Sequence, residues 1–388
     1  MPAISRIYLD HNATSPLRPA ARAAMLAGLE AANPSSVHAE GRAARALVEE
    51  ARARVAALCG ADARHVVFVS GASEAAATAL DPAFAPAGAG PPRLLVVAGE
   101  HPCVRAGGGF DGGEIAPVGA TAEGLIDLAA LERALGAGRG RRTLVALQLA
   151  NNETGAIQPV AAAAALARAH GARLVCDAVQ AAGRIPIDLP ALGADWLLLS
   201  AHKIGGPKGA GALIGARPFP SEAALIRGGG QERGARAGTE NVAAIAGFGA
   251  AAAAAQAELA TEPARLGALR DAIEAQIMAI APDATIFSSA APRLCNTSCF
   301  AVPGLGAQTL LMALDLAGVA VSSGAACSSG KVEPSALLTA MGASRDLAAG
   351  ALRVSLGWST QAQEVESFCA IFAEIVARLL ARRSRSAA

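Results

Sequence analysis

Trp196-Leu197-Leu198-Leu199-Ser200-Ala201-His202-Lys203 is an apolar run that ends in a lysine. Other short apolar runs alternate with alanine-rich stretches of helical character through the middle of the chain. These runs occupy residues 66–69, 94–97, 144–147, 174–177 and 212–214. Strands that alternate with helices imply crossover connections and a mainly parallel sheet covered on both faces. The sequence therefore predicts an α/β fold.

The pattern changes near residue 256. A long charged stretch at 262–280 predicts a helix, strand-like segments follow at 296–302 and 319–322, and a final helix is predicted over 360–382. The chain has 388 residues, whereas single hydrophobic cores usually stop growing near about 250–300 residues. We therefore expect a second, smaller α+β domain that begins near residue 256.

The composition favours a small-molecule partner. Apolar residues make up 53% of the chain, and 33 basic and 32 acidic residues leave a net charge of +1. This balance gives no basic surface for nucleic acid and no attraction to anionic membranes. The N-terminus lacks the apolar stretch of a secretory signal, and the weakly polar stretch 242–255 is shorter than the ~20 residues that cross a bilayer. We expect a cytoplasmic protein with no nucleic-acid partner and no membrane partner.

Ligands of such sheets bind in the loops that follow the strands. Ser70-Gly71-Ala72-Ser73-Glu74 follows one strand and opens a helix, whose N–H groups and hydroxyl can cradle a phosphate. The alternative is that Ser73 simply caps that helix. By itself this segment does not decide between the two.

Two further loops carry groups of another kind. Asp177 ends a strand and precedes Gln180 by one helical turn, which suits either a binding site or a helix cap. Lys203 ends another strand, before the glycine-rich residues 205–209. Lysines usually lie on solvated faces, but a lysine at a buried strand end can have a lowered pKa and form a Schiff base.

Together these loops supply a phosphate cradle, a carboxylate and a lysine. Pyridoxal phosphate requires these groups: anchors for its phosphate, an acid for its ring nitrogen and a lysine for its aldehyde. A nicotinamide cofactor fits poorly, because Gly209-Ala210-Gly211 lacks the third glycine of the dinucleotide-binding motif. The three loops therefore favour a pyridoxal-phosphate enzyme.

The seven cysteines predict neither a disulfide framework nor a zinc site, since they are scattered and include no C-x-x-C pair. We expect Cys59, Cys176 and Cys369 to be ordinary buried thiols. Cys103 follows His101 by two residues and can approach a site there. Cys327 lies in the Ser/Gly-rich segment 322–331, where no apolar strand holds it, and this favours a reactive role.

Several motifs in the same order resemble the NifS/IscS-type cysteine desulfurases. They extend from Tyr8 to Thr360 and so cover nearly the whole chain. The motifs are Tyr8-Leu9-Asp10-His11-Asn12-Ala13-Thr14, Asn33-Pro34-Ser35-Ser36-Val37-His38, Glu100-His101, Asn151-Asn152-Glu153-Thr154-Gly155, Gln158-Pro159, Ser200-Ala201-His202-Lys203, Gly228-Gly229-Gly230-Gln231-Glu232-Arg233-Gly234, Arg236-Ala237-Gly238-Thr239 and Ser322-Ser323-Gly324-Ala325-Ala326-Cys327.

The resemblance implies the fold of class V aminotransferases, which is fold type I of the pyridoxal-phosphate enzymes. Such a chain has a large cofactor domain with a mainly parallel seven-stranded sheet and a small α+β domain built from both chain ends. Applied here, this implies a large domain over residues 15–255 and a small domain over residues 1–14 and 256–388. The small domain would carry the cysteine loop. The family also implies a homodimer.

The resemblance implies cofactor contacts as well. Lys203 would form the internal aldimine, Asp177 would pair with the pyridine nitrogen, and Gln180 would contact the ring hydroxyl. Four residues would hold the phosphate: Ala72, Ser73, Ser200 and His202. Thr239 would reach the phosphate of the partner subunit's cofactor.

The same resemblance implies the residues of the reaction. His101 would stack on the ring and take part in proton transfer, Asn152 would lie beside cofactor and substrate, and Arg353 would bind the substrate carboxylate with its forked guanidinium. Cys327 would take the sulfur of L-cysteine as a persulfide, releasing L-alanine. No metal would be required, although Cys327 can contact an iron–sulfur cluster transiently on delivering sulfur.

Some alternatives stay open from sequence. An aminotransferase or a selenocysteine lyase on the same fold would share Lys203, Asp177 and Arg353, and a catalytically silent scaffold for iron–sulfur assembly proteins is a further alternative.

The chain departs from the family pattern at three positions. Cys295 stands where relatives commonly have proline, and Ala325 and Ser328 replace the more usual Ser and Thr. The sulfur acceptor is not specified by these motifs; iron–sulfur cluster assembly, nitrogenase maturation and tRNA thiolation all draw on such enzymes.

Overall fold

The computed structural model of the chain describes residues 6–219, 223–323 and 334–387. The strands within these ranges are β1 (Ile7–Tyr8), β2 (Val66–Val69), β3 (Pro92–Val97), β4 (Ile115–Val118), β5 (Arg142–Gln148), β6 (Arg173–Asp177), β7 (Trp196–Ser200), β8 (Gly211–Gly215), β9 (Thr285–Ile286), β10 (Thr297–Ala301), β11 (Val319–Ala320), β12 (Ser322–Ser323) and β13 (Leu352–Ser355). The α-helices there are α1 (Pro19–Leu29), α2 (Ala39–Leu58), α3 (Ala72–Ala79), α4 (Pro102–Arg105), α5 (Leu128–Ala137), α6 (Val160–Ala169), α7 (Leu189–Leu192), α8 (Val242–Glu258), α9 (Glu262–Ile280), α10 (Ala307–Leu316), α11 (Ala336–Ala340), α12 (Arg345–Ala349) and α13 (Ala362–Ala387).

A seven-stranded sheet forms the centre of the larger part of the chain. Its strand order is β2-β8-β7-β6-β5-β3-β4. The neighbours from β7 through β6, β5 and β3 to β4 pair in parallel, whereas β8 is antiparallel to both β7 and β2. The predicted α/β fold with a mainly parallel sheet is confirmed.

Strand β4 is the one member of this sheet that the apolar runs do not predict. Its sequence contains Pro117, which interrupts the pattern of a buried strand. Proline cannot donate to a ladder, so it is tolerated at the margin of a sheet, and β4 is an edge strand.

Both faces of the sheet are covered. In β3, Leu95 and Val97 pack into one apolar core, while Leu94 and Val96 pack into another on the opposite face. Helix α8 joins the first of these cores and packs against α1 and α2, with Phe248 fully buried. Because both faces of the sheet are buried, the sequences of the parallel strands are continuously apolar and do not alternate with polar residues.

The C-terminal part forms a smaller sheet and its own core. Strands β12, β13, β10 and β9 form an antiparallel sheet in that order, and β1 pairs with β11. Leu9 from the N-terminal segment packs in the same core as Phe368 and Phe372 of α13. The predicted helix 262–280 is found as α9, and the predicted final helix corresponds to α13.

The domain boundaries themselves stay a prediction. Residue 256 falls in the last turn of α8, and the break before α9 follows three residues later, at 259–261. The shared core around Leu9 supports the assignment of both chain ends to the small domain.

In the described part of the chain, no single helix has the length and apolar character to cross a membrane. Helices α8 and α9 meet both criteria only when taken together, and they are bent by 77° at the break between them.

Candidate active site

One cavity of about 720 Å³ lies where the carboxyl ends of the parallel strands meet the smaller sheet. Ten residues singled out from the sequence line it: Ala72, Ser73, His101, Asn152, Asp177, Gln180, Ser200, His202, Lys203 and Arg353. Loops that are far apart in sequence therefore converge on one site, as ligand binding at this edge of an α/β sheet requires.

One end of the cavity is suited to an anion. Helix α3 begins at Ala72, and its N-cap is Gly71, which supplies no side-chain cap. Ser73 therefore lies in the first turn, and the interpretation of Ser73 as the capping residue is wrong. A Cβ placed on Gly71 would meet nothing within 4 Å, so there is room beside the helix end. First-turn N–H groups and the helix dipole favour a phosphate there.

His202 lines the same cavity. Its Nδ1 is 3.1 Å from the hydroxyl of Thr14. Burial, together with the charges of Lys203 and Lys208, lowers the pKa of His202 to about 4. At neutral pH His202 is therefore a neutral ring whose orientation is fixed by Thr14.

Asp177 ends β6 and faces the cavity. Its Oδ1 accepts a hydrogen bond of 2.9 Å from the N–H of Val179, so the carboxylate caps the following turn and also lines the site. Burial raises the pKa of Asp177 to about 6. The group is still mostly ionised at neutral pH and can stabilise a protonated ring nitrogen.

Lys203 lies in a short 3₁₀ turn directly after β7. Its Nζ donates to the main-chain oxygens of Asn12, at 2.6 Å, and Ala13, at 2.9 Å. Burial and the charges of Arg353 and Arg184 lower the pKa of Lys203 to about 8. A substantial fraction of neutral amine is thus present near neutral pH, which a nucleophile or base needs.

Arg353 enters the cavity from β13 and is oriented by two partners. Its Nη2 lies 2.7 Å from Oδ1 of Asp10, and its Nη1 donates to the main-chain oxygen of Asn152 at 3.0 Å. Its Nε is buried without a partner. Asp10 was not predicted as a site residue, and the one signal in the sequence is an acidic residue within the motif of residues 8–14.

His101 is held in place by Cys103. The backbone N–H of Cys103 donates to Nδ1 of His101 at 3.2 Å, and the thiol sulfur is 2.9 Å from the same atom. Burial is the main cause that raises the pKa of Cys103 to about 11, so the thiol keeps its proton. Cys103 lines the cavity, as its spacing from His101 suggested.

Thr239 is not among the residues that line this cavity. Thr239 is exposed and lines a second cavity of about 270 Å³, which shares Ser70 and Gly209 with the first. Cys327 falls within residues 324–333, outside the described residues.

The six described cysteines are all free thiols. Burial raises the pKa of every one of them, to about 12 for Cys59 and well above the ordinary value for Cys176. A thiol with a raised pKa is a poor nucleophile because little thiolate is present. The described residues also contain no group of three or more His, Cys, Asp or Glu side chains that could hold a metal ion.

Comparison with known proteins gave consistent matches. A family model described as aminotransferase class-V matches residues 7–368. A protein of Cereibacter sphaeroides named cysteine desulfurase is 42% identical over 387 residues, covering 97% of each chain. One of Dictyoglomus turgidum named cysteine desulfurase IscS is 37% identical over 382 residues, covering 96% of this chain and 95% of its own. The solved structure of a NifS-like protein from Rickettsia africae is similar with a TM-score of 0.85 and 32% identity, covering 96% of this chain and 99% of that one.

Proposed function

Because the chain belongs to the class-V aminotransferase family, within which its relatives are named cysteine desulfurases, we propose that it is a pyridoxal-phosphate-dependent cysteine desulfurase. It converts L-cysteine to L-alanine and retains the sulfur as a persulfide on Cys327. The observation that carries the cofactor assignment is the convergence of Lys203, Asp177 and Arg353 on one cavity beside the N-terminus of α3. The similarity to relatives named cysteine desulfurases supports the choice of reaction.

The cavity has the donors and acceptors that the cofactor needs. Ala72 and Ser73 at the start of α3 would hold the phosphate, with Ser200 and His202 beside them. Asp177 would hold a proton on the ring nitrogen, and Gln180 would donate to the ring oxygen. When bound, pyridoxal phosphate supplies an electron sink for the pair released at the substrate Cα.

Arg353 binds the carboxylate of L-cysteine. A buried guanidinium recognises a carboxylate well because its donors are fixed in one plane. Asp10 and the main chain of Asn152 hold that plane in place, and the unpartnered Nε is a donor still in need of an acceptor. This arrangement orients the substrate with its Cα toward Lys203.

Lys203 and His101 handle protons. The amine of Lys203 removes the Cα proton, which requires the neutral form, and its lowered pKa provides that form near neutral pH. The ring of His101 is accessible from the cavity and is kept neutral by burial and by Lys203, both of which lower its pKa. It relays a proton between substrate and solvent.

Cys327 accepts the sulfur. Its thiolate attacks the substrate sulfur, the C–S bond breaks, and its electron pair remains with the carbon fragment, which is then protonated to alanine. Support comes from the raised pKa of each of the other six cysteines, which leaves them poor nucleophiles. The persulfide is then delivered to a sulfur-acceptor protein such as an iron–sulfur scaffold.

The working unit is a homodimer in the cytoplasm. Thr239 is exposed on a cavity that adjoins the active site through Ser70 and Gly209, a position from which it can contact a second copy of the chain. In the dimer it reaches the cofactor phosphate bound by the partner subunit.

The direct test is release of alanine from L-cysteine by the purified protein. We expect Lys203→Ala and Cys327→Ala each to lower the rate at least about 100-fold, because one removes the base and the other the sulfur acceptor. Lys203→Ala should also abolish the yellow colour of the protein.

Cys369→Ala is the matched control for Cys327→Ala, since Cys369 lies on α13, partly buried against the core of the small domain. It should release alanine at the parental rate. A Cys327→Ala protein as fast as the Cys369→Ala control would refute the desulfurase mechanism.

A further inference from the structure

Arg184 is a buried cation with no place in the reaction proposed above. It is 8% exposed, and among the described residues it forms no ion pair with a carboxylate. Burial lowers the pKa of Arg184 to about 10, so it is still charged at neutral pH. A buried charge without a counter-charge is costly, and such groups are concentrated at functional sites.

The carboxylates that line the same cavity as Arg184 are already paired with other arginines. Glu258 and Glu262 line a small cavity of about 40 Å³ together with Arg184. Glu258 already accepts from both Nη atoms of Arg18, at 2.6 and 2.7 Å. Glu262 accepts from Arg265 at 2.8 and 2.7 Å. The positive charge of Arg184 is therefore not cancelled by these carboxylates, and it affects Gln180 and Lys203.

The hydrogen bonds of Arg184 go to Gln180. Its Nη1 donates to the main-chain oxygen of Gln180 at 2.7 Å and also to Oε1 of the same residue. A guanidinium can only donate, so the amide oxygen must face Arg184 and the amide nitrogen must face away from it. That nitrogen donates to the main-chain oxygen of Asn12 at 3.0 Å, which also accepts from Nζ of Lys203.

Arg184 also influences Lys203 directly, and both line the same small cavity. Burial is the largest cause of the lowered pKa of Lys203, Arg353 and Arg184 lower it further, and Asp177 and Asp10 raise it. Arg353 is paired with Asp10 at 2.7 Å. Other titratable groups also line the two cavities that contain Lys203. In the larger cavity these are Glu74, His101, Cys103, His202 and Lys208, and in the smaller one they are His11, Arg18, Glu258 and Glu262.

We propose that Arg184 is a positioning residue that fixes the Gln180 amide nitrogen toward the active-site cavity and, through its unneutralised charge, increases the fraction of Lys203 present as the neutral amine. The part that concerns Gln180 rests on the proposed function, because the amide then donates to the ring oxygen of the cofactor. The part that concerns Lys203 is a property of the protein alone.

Three variants separate the charge of Arg184 from its hydrogen bonds. Arg184→Lys keeps the charge, Arg184→Gln keeps an amide donor, and Arg184→Met removes both. In full-length protein from which cofactor has been stripped, the pKa of Lys203 is measured from the pH dependence of its acylation by acetic anhydride, followed by peptide mass spectrometry. We expect a rise on the order of one pH unit in Arg184→Met and Arg184→Gln, and a value near the parental one in Arg184→Lys.

The holoenzyme gives a second measurement. A merely structural role of Arg184 would not make the result depend on whether the variant keeps the positive charge. The dissociation constant of pyridoxal phosphate should rise roughly 5- to 10-fold in Arg184→Met, since an oriented hydrogen bond is lost. The pH midpoint of the bound cofactor's visible band should shift upward in Arg184→Met and Arg184→Gln, and not in Arg184→Lys.

Arg173→Met is the matched control, because Arg173 is also a partly buried arginine that donates to main-chain oxygens, here those of Phe84 and Ala85. It should leave the pKa of Lys203 unchanged. A parental pKa of Lys203 in Arg184→Gln, or an equal rise in Arg184→Lys, overturns the proposal even if Arg184→Met fails to fold. A parent protein that binds no pyridoxal phosphate would instead count against the proposed function and leave the acylation result valid.

Discussion

At the residue scale, the site depends on buried ionisable groups whose pKa values are shifted toward neutrality. The pKa of Asp177 is raised to about 6 and the pKa of Lys203 is lowered to about 8, in both cases chiefly by burial. Both groups lie at strand ends, which is why their chemistry could be predicted from sequence. Asp10 could not be predicted in the same way, because its partner Arg353 lies 343 residues away in the sequence and is brought to it by the fold. Gln180 precedes Arg184 by one helical turn, but the burial of Arg184 without a carboxylate partner depends on tertiary packing.

Asp177 yields a prediction about stability and pH. Its pKa in the folded protein is raised above the unfolded value, so the ionised form destabilises the fold once the pH exceeds the unfolded value near 4. In cofactor-free protein, Asp177→Asn should therefore be more stable than the parent at pH 8, by about 2–3 kcal/mol. The gain should shrink as the pH falls through about 6 and vanish below about 4.

Urea denaturation of cofactor-free protein at pH 4 to 8 measures this difference. Asp283→Asn, at an exposed position, is the control and should change stability little at any pH. An Asp177→Asn protein that is less stable than the parent at pH 8 would contradict the account of Asp177 as a charge held at a cost for cofactor binding.

At the element scale, the short segment Gln231–Gly234 is attached to the main sheet by a buried ion pair. Glu232, at a φ of 46°, accepts from Arg52 at 2.6 and 2.8 Å and from the N–H of Phe68 on β2 at 2.9 Å. The motif containing Glu232 was recognised from sequence, but its buried partner on α2 was not. Strand β4 was also not predicted. It is an edge strand, which needs a less apolar sequence than a central strand.

Removal of one partner of this ion pair should be strongly destabilising. Arg52→Met leaves the carboxylate of Glu232 buried without its counter-charge, and we expect a loss of about 3–5 kcal/mol in the free energy of unfolding. Arg54→Met, which breaks the exposed pair with Glu50 on the same helix, should cost less than about 1 kcal/mol. Equal losses in the two variants, measured by urea denaturation, would show that the pair does not hold the segment.

At the scale of the whole molecule, the active site lies between a large sheet and a small domain, and it draws on both. Arg353 comes from the small sheet, while Lys203 and Asp177 come from the ends of the large one. The class of fold followed from the alternating apolar runs, whereas the meeting of the two sheets at one cavity follows from tertiary packing and could be anticipated only through the family resemblance.

The proposed dimer leads to a complementation experiment. Lys203→Ala and Thr239→Asp should each be nearly inactive, the second because a carboxylate there repels the partner's cofactor phosphate. A mixed dimer contains one site with an intact Lys203 and an intact Thr239 from the other subunit. Isolated mixed dimers should therefore release alanine at about half the parental rate, and a 1:1 mixture after random subunit exchange at about a quarter of it. Absence of recovery in mixed dimers isolated with two affinity tags would show that Thr239 does not serve the partner's site.

The central claim is that sulfur from L-cysteine passes to Cys327. Peptide mass spectrometry after a single turnover with L-cysteine and rapid alkylation measures this directly. We expect one extra sulfur atom on the peptide that contains Cys327, in an amount equal to the alanine formed, and none on the peptide that contains Cys103. Sulfur found on Cys103, or alanine formed without any protein-bound sulfur, would contradict the account.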